Sequence, residues 1–194
     1  MTFSESTQQS FLKLIETGVS ASADKLATTS HTEWKTETVS IRSAPVDNLR
    51  TVLAGDATEH AGALFSMPGG MFVVMFTKKS GGSLAKAFLP GHPSDQVARL
   101  EKESLAEISN IVIHSVANVI ADACDEVLFV SAPEMVTGKK EEILKLAGSK
   151  FKESDETSAV VAYIHLYSVA LSSDCTIVLL LNSIWNNRLL KALD

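Results

Sequence analysis

Residues 61–77, AGALFSMPGGMFVVMFT, decide the fold. Two apolar runs, Ala61–Ser66 and Met71–Thr77, flank Pro68-Gly69-Gly70, a strong turn signal. Strands joined this tightly must be antiparallel. The run Met71-Phe72-Val73-Val74-Met75-Phe76 has no polar face. It therefore reads as a central strand covered on both sides.

Outward from this hairpin, the chain reads as two similar halves. Upstream, Thr7–Thr29 has helical periodicity, with Phe11, Leu12, Ile15, Val19 and Leu26 on one face. Thr36–Arg42 reads as a strand through Val39 and Ile41, and Val46–Ala54 as a short amphipathic helix. Downstream, Ser83 is the expected cap of a short helix through Phe88, before Pro90, Gly91 and Pro93 break the chain. The order then repeats. Ser94 or Asp95 is expected to cap a long helix to about Ala123. A strand Glu126–Ala132, Pro133, a short helix Lys139–Ala147 and a charged loop Gly148–Thr157 follow. Strands Ser158–Ser168 and Cys175–Leu181 and a helix Ile184–Leu193 complete the second half. The expected fold is α+β. A pseudo-twofold duplicated unit, with half-repeats at about 7–93 and 94–194 of one domain, forms a continuous antiparallel sheet covered by long helices.

Composition excludes several functions. The 194 residues carry a net charge of −6, against general binding to nucleic acid or to an anionic membrane surface. With 45% apolar and 21% charged residues the chain is an ordinary globular sequence. Met1–Ser10 is polar and lacks the basic and apolar regions of a signal peptide. The apolar runs, Ile177–Leu181 among them, are too short to span a bilayer. The 2 cysteines, Cys124 and Cys175, form no CxxC, so buried thiols and a cytoplasmic location are expected.

The long helix of the second half carries the informative pattern. Leu105, Ile108, Val112 and Val119 fall on one side at about 100° per residue. Glu103, Glu107, Asn110, His114 and Asn118 form a polar stripe opposite. A helix half buried in a core and half in water has this pattern without any further function.

Glu103, Glu107, Asn110 and Pro133 add a spacing to that stripe. Three residues separate Glu103 from Glu107, two separate Glu107 from Asn110, and 22 separate Asn110 from Pro133. This resembles the signature of the CheC/CheX/FliY family of chemotaxis phosphatases, in which Asp or Ser occupies the position of Glu103. The duplicated order of elements resembles the CheC-like fold over nearly the whole chain. The resemblance implies a phosphatase acting on the aspartyl phosphate of a CheY-like response-regulator receiver domain. Asn110 would orient the attacking water, because an amide offers donors and an acceptor without titrating. Glu107 would pair with the receiver's lysine. Pro133 would shape the site, and Glu103 and His114 would contact the partner. The resemblance implies no metal or cofactor of its own, since the Mg2+ belongs to the receiver. It also allows a homodimer.

The first half lacks a second copy of the motif. Aligning Glu16 with Glu107 puts Val19 at the Asn position, and aligning Pro45 with Pro133 puts Val19 and Ser22 at the Glu and Asn positions. One site, on the second long helix, is therefore expected. The alternative is a non-catalytic CheC-like module that binds signalling or flagellar-switch proteins. Elsewhere, His31, His60, His92 and His165 show no metal-ligand spacing. Ser80-Gly81-Gly82-Ser83 lacks the Lys of a P-loop and reads as a turn. Trp34 and Trp185 read as core residues.

Overall fold

A computed structural model describes residues 5–49, 57–152 and 158–193. In it the hairpin is β2 (Glu59–Met67) and β3 (Gly70–Thr77), antiparallel and in register from Met67 opposite Gly70 to His60 opposite Thr77. Gly69, at φ 73°, takes the left-handed turn position. The apolar run of β3 has two destinations. Phe72, Val74 and Phe76 enter one core, and Met71, Val73 and Met75 enter another on the opposite face. Fully burying each such side chain stabilises the fold by about 1.5–3 kcal/mol.

The remaining strands are β1 (Lys35–Pro45), β4 (Glu134–Lys139), β5 (Ser158–Ser168) and β6 (Ser173–Leu181). They complete a six-stranded antiparallel sheet of order β1-β5-β6-β3-β2-β4. The duplication is interlocked. The first strand of each half pairs with the second strand of the other, and β3 meets β6 at the centre. One face is covered by α1 (Glu5–Ser30), α2 (Lys78–Phe88), α3 (Ser94–Cys124) and α5 (Ser183–Leu193). The other carries α4 (Lys140–Lys152), which packs Ile143, Leu144 and Ala147 with Val46 and Leu49 of the first half.

The long helices α1 and α3 cross at close range. A Cβ on Gly18 would lie 2.8 Å from the Cα of Val116, so only glycine lets the backbones approach this far. The buried Ser22 hydroxyl is shared between the carbonyls of Gly18 (2.9 Å) and Val112 (3.0 Å). α3 is long and apolar enough to cross a bilayer, but Leu105, Ile108, Val112, Val116 and Ile120 are turned into the core.

Several boundaries differ from expectation. α2 begins at Lys78, not Ser83, because Thr77 is its cap and accepts from the Ser80 N–H at 3.2 Å. The Ser80–Ser83 stretch is therefore helical rather than a turn. Gly81 suits its place, since a Cβ there would lie 3.1 Å from Leu105 Cδ1. α3 starts after Pro93, with Asp95 in its first turn and neither Ser94 nor Asp95 as cap. The expected strand Glu126–Ala132 is an extended segment outside the ladder, and the strand is β4 instead. β4 has few apolar residues because it lies at a sheet edge, half exposed. α4 runs on through Gly148, where a Cβ would meet Val46 Cγ1 at 3.2 Å, so most of the expected loop's first part is helix. In place of the start of the expected helix Val46–Ala54 is a 3-10 turn, Val46–Asn48. Residues 50–54 and 153–157 lie outside the described residues. Cys175 is buried as expected, whereas Cys124 is only half-buried.

Candidate functional site

Every residue of the sequence motif except Pro133 sits on α3. Glu103, Glu107, His114 and Asn118 are exposed, and Asn110 is half-buried at the edge of the stripe. The helix keeps them on one face because the opposite arc is packed against α1 and the sheet. Asn110 points its amide at Glu107: Nδ2 lies 3.5 Å from Oε2, a long contact open to solvent. The pair is thus adjacent yet free to exchange this contact for an outside partner. Among the described residues Glu103 and His114 have no ion-pair partner.

The chain then returns alongside α3. Asp125, in the left-handed conformation at φ 50°, closes α3, with its N–H against the carbonyls of Ala121 and Asp122. Residues 126–133 run back extended, with Leu128 and Val130 partly buried against the core that holds α3. By β4, the residues Met135, Val136 and Thr137 share a cleft with Ala98, Lys102 and Leu105 of α3. From Asn110 to Cys124 α3 rises about 21 Å, at about 1.5 Å per residue. From Glu126 to Pro133 the extended chain covers about 23 Å, at about 3.3 Å per residue. Pro133, which is half-buried, is therefore brought back roughly level with Asn110. The 22-residue gap between them is the length of one helical ascent and one extended descent.

Two exposed apolar residues of this returning segment are missing from the sequence reading. Val127 and Phe129 are both 75% exposed, on the side of the descending segment opposite Leu128 and Val130. The signal is the unbroken apolar run Val127-Leu128-Phe129-Val130, which the expected strand accounts for without an exposed face. Glu126, at the start of the segment, is tied to Arg188 of α5 at 2.9 Å. Ser131 fixes the far end: its N–H donates to the Ser66 carbonyl, and its hydroxyl accepts from the Ser66 N–H, both at 2.9 Å.

Among the described residues the first half offers no such arrangement. Val19 and Ser22 are completely buried in the α1–α3 contact, and the exposed face of α1 carries Lys13, Glu16, Thr17, Ser20 and Asp24.

A second polar cluster lies at the β1 edge of the sheet. His165 meets Glu37 through Nδ1 (2.5 Å) and Asp174 through Nε2 (3.0 Å). Asp174 also accepts from the Ser80 hydroxyl at 2.5 Å. Donation from both ring nitrogens requires an imidazolium. The Asp174 hydrogen bond, with help from Glu37 and against partial burial, raises the His165 pKa. The same His165 bond, followed by the Ser80 bond and against partial burial, lowers that of Asp174. Burial, reinforced by Glu126, raises the thiol pKa of Cys124. Trp34 and Trp185 are core residues as expected. The Trp185 indole N–H donates to the Pro68 carbonyl and holds α5 on the central hairpin.

With interlocked halves, a shared antiparallel sheet and two crossed helices, the chain has a CheC-like fold. The chain is similar to Thermotoga maritima FliY, with TM-score 0.71 and 11% identity over 100% of this chain and 98% of that one. It is also similar to FliM from H. pylori in a FliM–SpeE complex, with TM-score 0.66 and 12% identity over 98% and 96% of the two chains. For CheX from Desulfovibrio desulfuricans the TM-score is 0.58 and the identity 14%, over 88% and 99%. No protein-family model and no curated protein matches the sequence.

Proposed function

We propose that the protein accelerates hydrolysis of the aspartyl phosphate on a CheY-like receiver domain, using one site on α3. The observation that carries this reading is the Glu107–Asn110 pair, in contact at 3.5 Å on the outer face of α3, with Pro133 returned to its level. An acyl phosphate is already activated, so its hydrolysis needs chiefly a water held in line and charge stabilisation. Asn110 supplies the carbonyl and amide that orient the water. Glu107 pairs with a lysine of the receiver and fixes the approach. Pro133 shapes the wall beside Asn110, and Glu103 and His114 contact the partner's rim. The Mg2+ that neutralises the phosphoryl oxygens belongs to the receiver.

The test is decay of a phosphorylated receiver domain with wild type, Asn110→Ala and Glu107→Gln. Wild type is expected to accelerate decay. Asn110→Ala abolishes the acceleration without loss of binding, and Glu107→Gln weakens binding. An unchanged rate with Asn110→Ala overturns the reading.

The alternative, a non-catalytic module, has one specific observation in its favour. The chain is similar to FliM in a FliG–FliM complex from H. pylori, with TM-score 0.63 over 97% of this chain. On that reading the protein binds a receiver or a flagellar-switch protein and wild type adds no turnover.

A further inference from the structure

The segment between α3 and β4 breaks the symmetry of the fold. Its counterpart precedes and begins β1, which starts at Lys35, 5 residues after Ser30, and pairs at once with Tyr167 of β5. After α3, by contrast, the chain joins the ladder only at Glu134 opposite Leu64. Beyond Leu64 the end of β2 meets this segment only through Ser66 and Ser131 among the described residues. The released segment presents Val127 and Phe129, each 75% exposed. With about 3.3 Å per extended residue and about 1.5 Å per helical one, Phe129 lies level with about residue 117 of α3, roughly two turns beyond Asn110. Exposed Glu103 and Glu107 stand at one end of this surface and exposed Asp125 at the other. Glu126 is balanced by Arg188. Two apolar side chains with exposed carboxylates to either side along α3, none of them in an ion pair among the described residues, fit a protein face whose apolar spot is flanked by lysine or arginine.

We infer that Val127 and Phe129 are an apolar docking contact for the receiver domain that meets the α3 stripe, engaging a basic-rimmed apolar spot beside its phosphorylation site. This rests on the proposed phosphatase reading for the partner's identity. The contact supplies affinity and holds the partner against Asn110, while taking no part in the chemistry. Serine at these positions removes little packing, since both side chains face water.

The experiment measures binding of a receiver domain held in its activated form by beryllofluoride, and hydrolysis of the phosphorylated receiver. It uses wild type, Phe129→Ser, Val127→Ser, Phe129→Leu and Asn110→Ala. Phe129→Ser is expected to weaken binding about tenfold, Val127→Ser less, with the rate at saturation unchanged. Phe129→Leu restores most of the affinity, and Asn110→Ala shows the opposite split. Wild-type affinity in Phe129→Ser, with hydrolysis lost only in Asn110→Ala, overturns the docking contact and leaves the phosphatase intact. Binding that depends on Phe129 without acceleration by wild type supports the contact and removes the phosphatase reading. A wild-type dimer that Phe129→Ser converts to a monomer, with receiver binding unchanged, assigns the patch to a second copy and overturns the inference.

Discussion

α1 and α3 are counterparts in one duplicated fold, in contact through Gly18 and Val116, yet they present different outer faces. On α1 the positions matched to the motif are turned inward, with Val19 in the core and Ser22 bonded across the crossing. On α3 Glu107 and Asn110 face outward. The chain after each helix differs as well: β1, 11 residues long, pairs at once, whereas β4 has 6 and is preceded by a segment outside the ladder. One frame can thus support a closed half and an open half. The rotation of a motif about its helix, and the residues that leave the sheet, decide which is which.

The largest expected effect separates the two helices directly. Asn110→Ala lowers the accelerated rate of receiver dephosphorylation by about 100-fold or more, the cost of losing a positioned polar group in a transition state. Ser20→Ala on the exposed face of α1 leaves that rate unchanged.

Gly18→Val breaks the contact the helices share. Its Cβ would lie 2.8 Å from Val116 Cα, so the backbones must part. Destabilisation of about 1–3 kcal/mol is expected, read as a lower midpoint in urea unfolding.

A smaller effect tests the paired edge at β1. The raised pKa of His165 means that its bonds contribute stability fully below its ordinary value of 6.5, and lose it as pH rises through the raised value. Asp174, with a lowered pKa, contributes above its ordinary 3.8 and loses it as pH falls through the lowered value. The stability difference between wild type and Glu37→Gln is therefore expected to shrink as pH rises from 6 through the His165 titration. Glu37 is 61% exposed, so the whole effect stays within about 1 kcal/mol after solvent screening. Urea midpoints across pH give the measurement.

The smallest effect expected is none. Placing the pair on α1 as Thr17→Glu with Ser20→Asn, in an Asn110→Ala background, leaves dephosphorylation unaccelerated. Two correct side chains on an exposed helix lack the returning segment with Pro133. Restored turnover would show that the pair alone suffices and that the asymmetry after the helices is idle.

Much of this was legible from periodicity. Phe11, Ile15, Val19 and Leu26 of α1 are completely buried, as their helical spacing requires. The two-sided burial of β3 follows from a run with no polar residue. Outward placement of Glu103, Glu107 and His114 follows from the apolar arc opposite them. The start of α2 was not legible, because Gly81 and Gly82 suggest a turn until Thr77 is seen to cap the helix and Leu105 to fill the space beside Gly81. Nor was β4, since Glu134-Met-Val-Thr-Gly-Lys139 buries too little to advertise a strand.

By itself the sequence determined the order of the elements, the central hairpin, the polar stripe and the spacing of Asn110 from Pro133. These are local patterns, set by the pitch of a helix and the alternation of a strand. Only the tertiary structure decided that β1 joins β5 and β4 joins β2, that Val127 and Phe129 face water, and that His165 lies between Glu37 and Asp174. Those outcomes join residues up to 128 positions apart. They depend on which apolar surfaces close against one another, a property of the packed whole that no window of neighbouring residues contains.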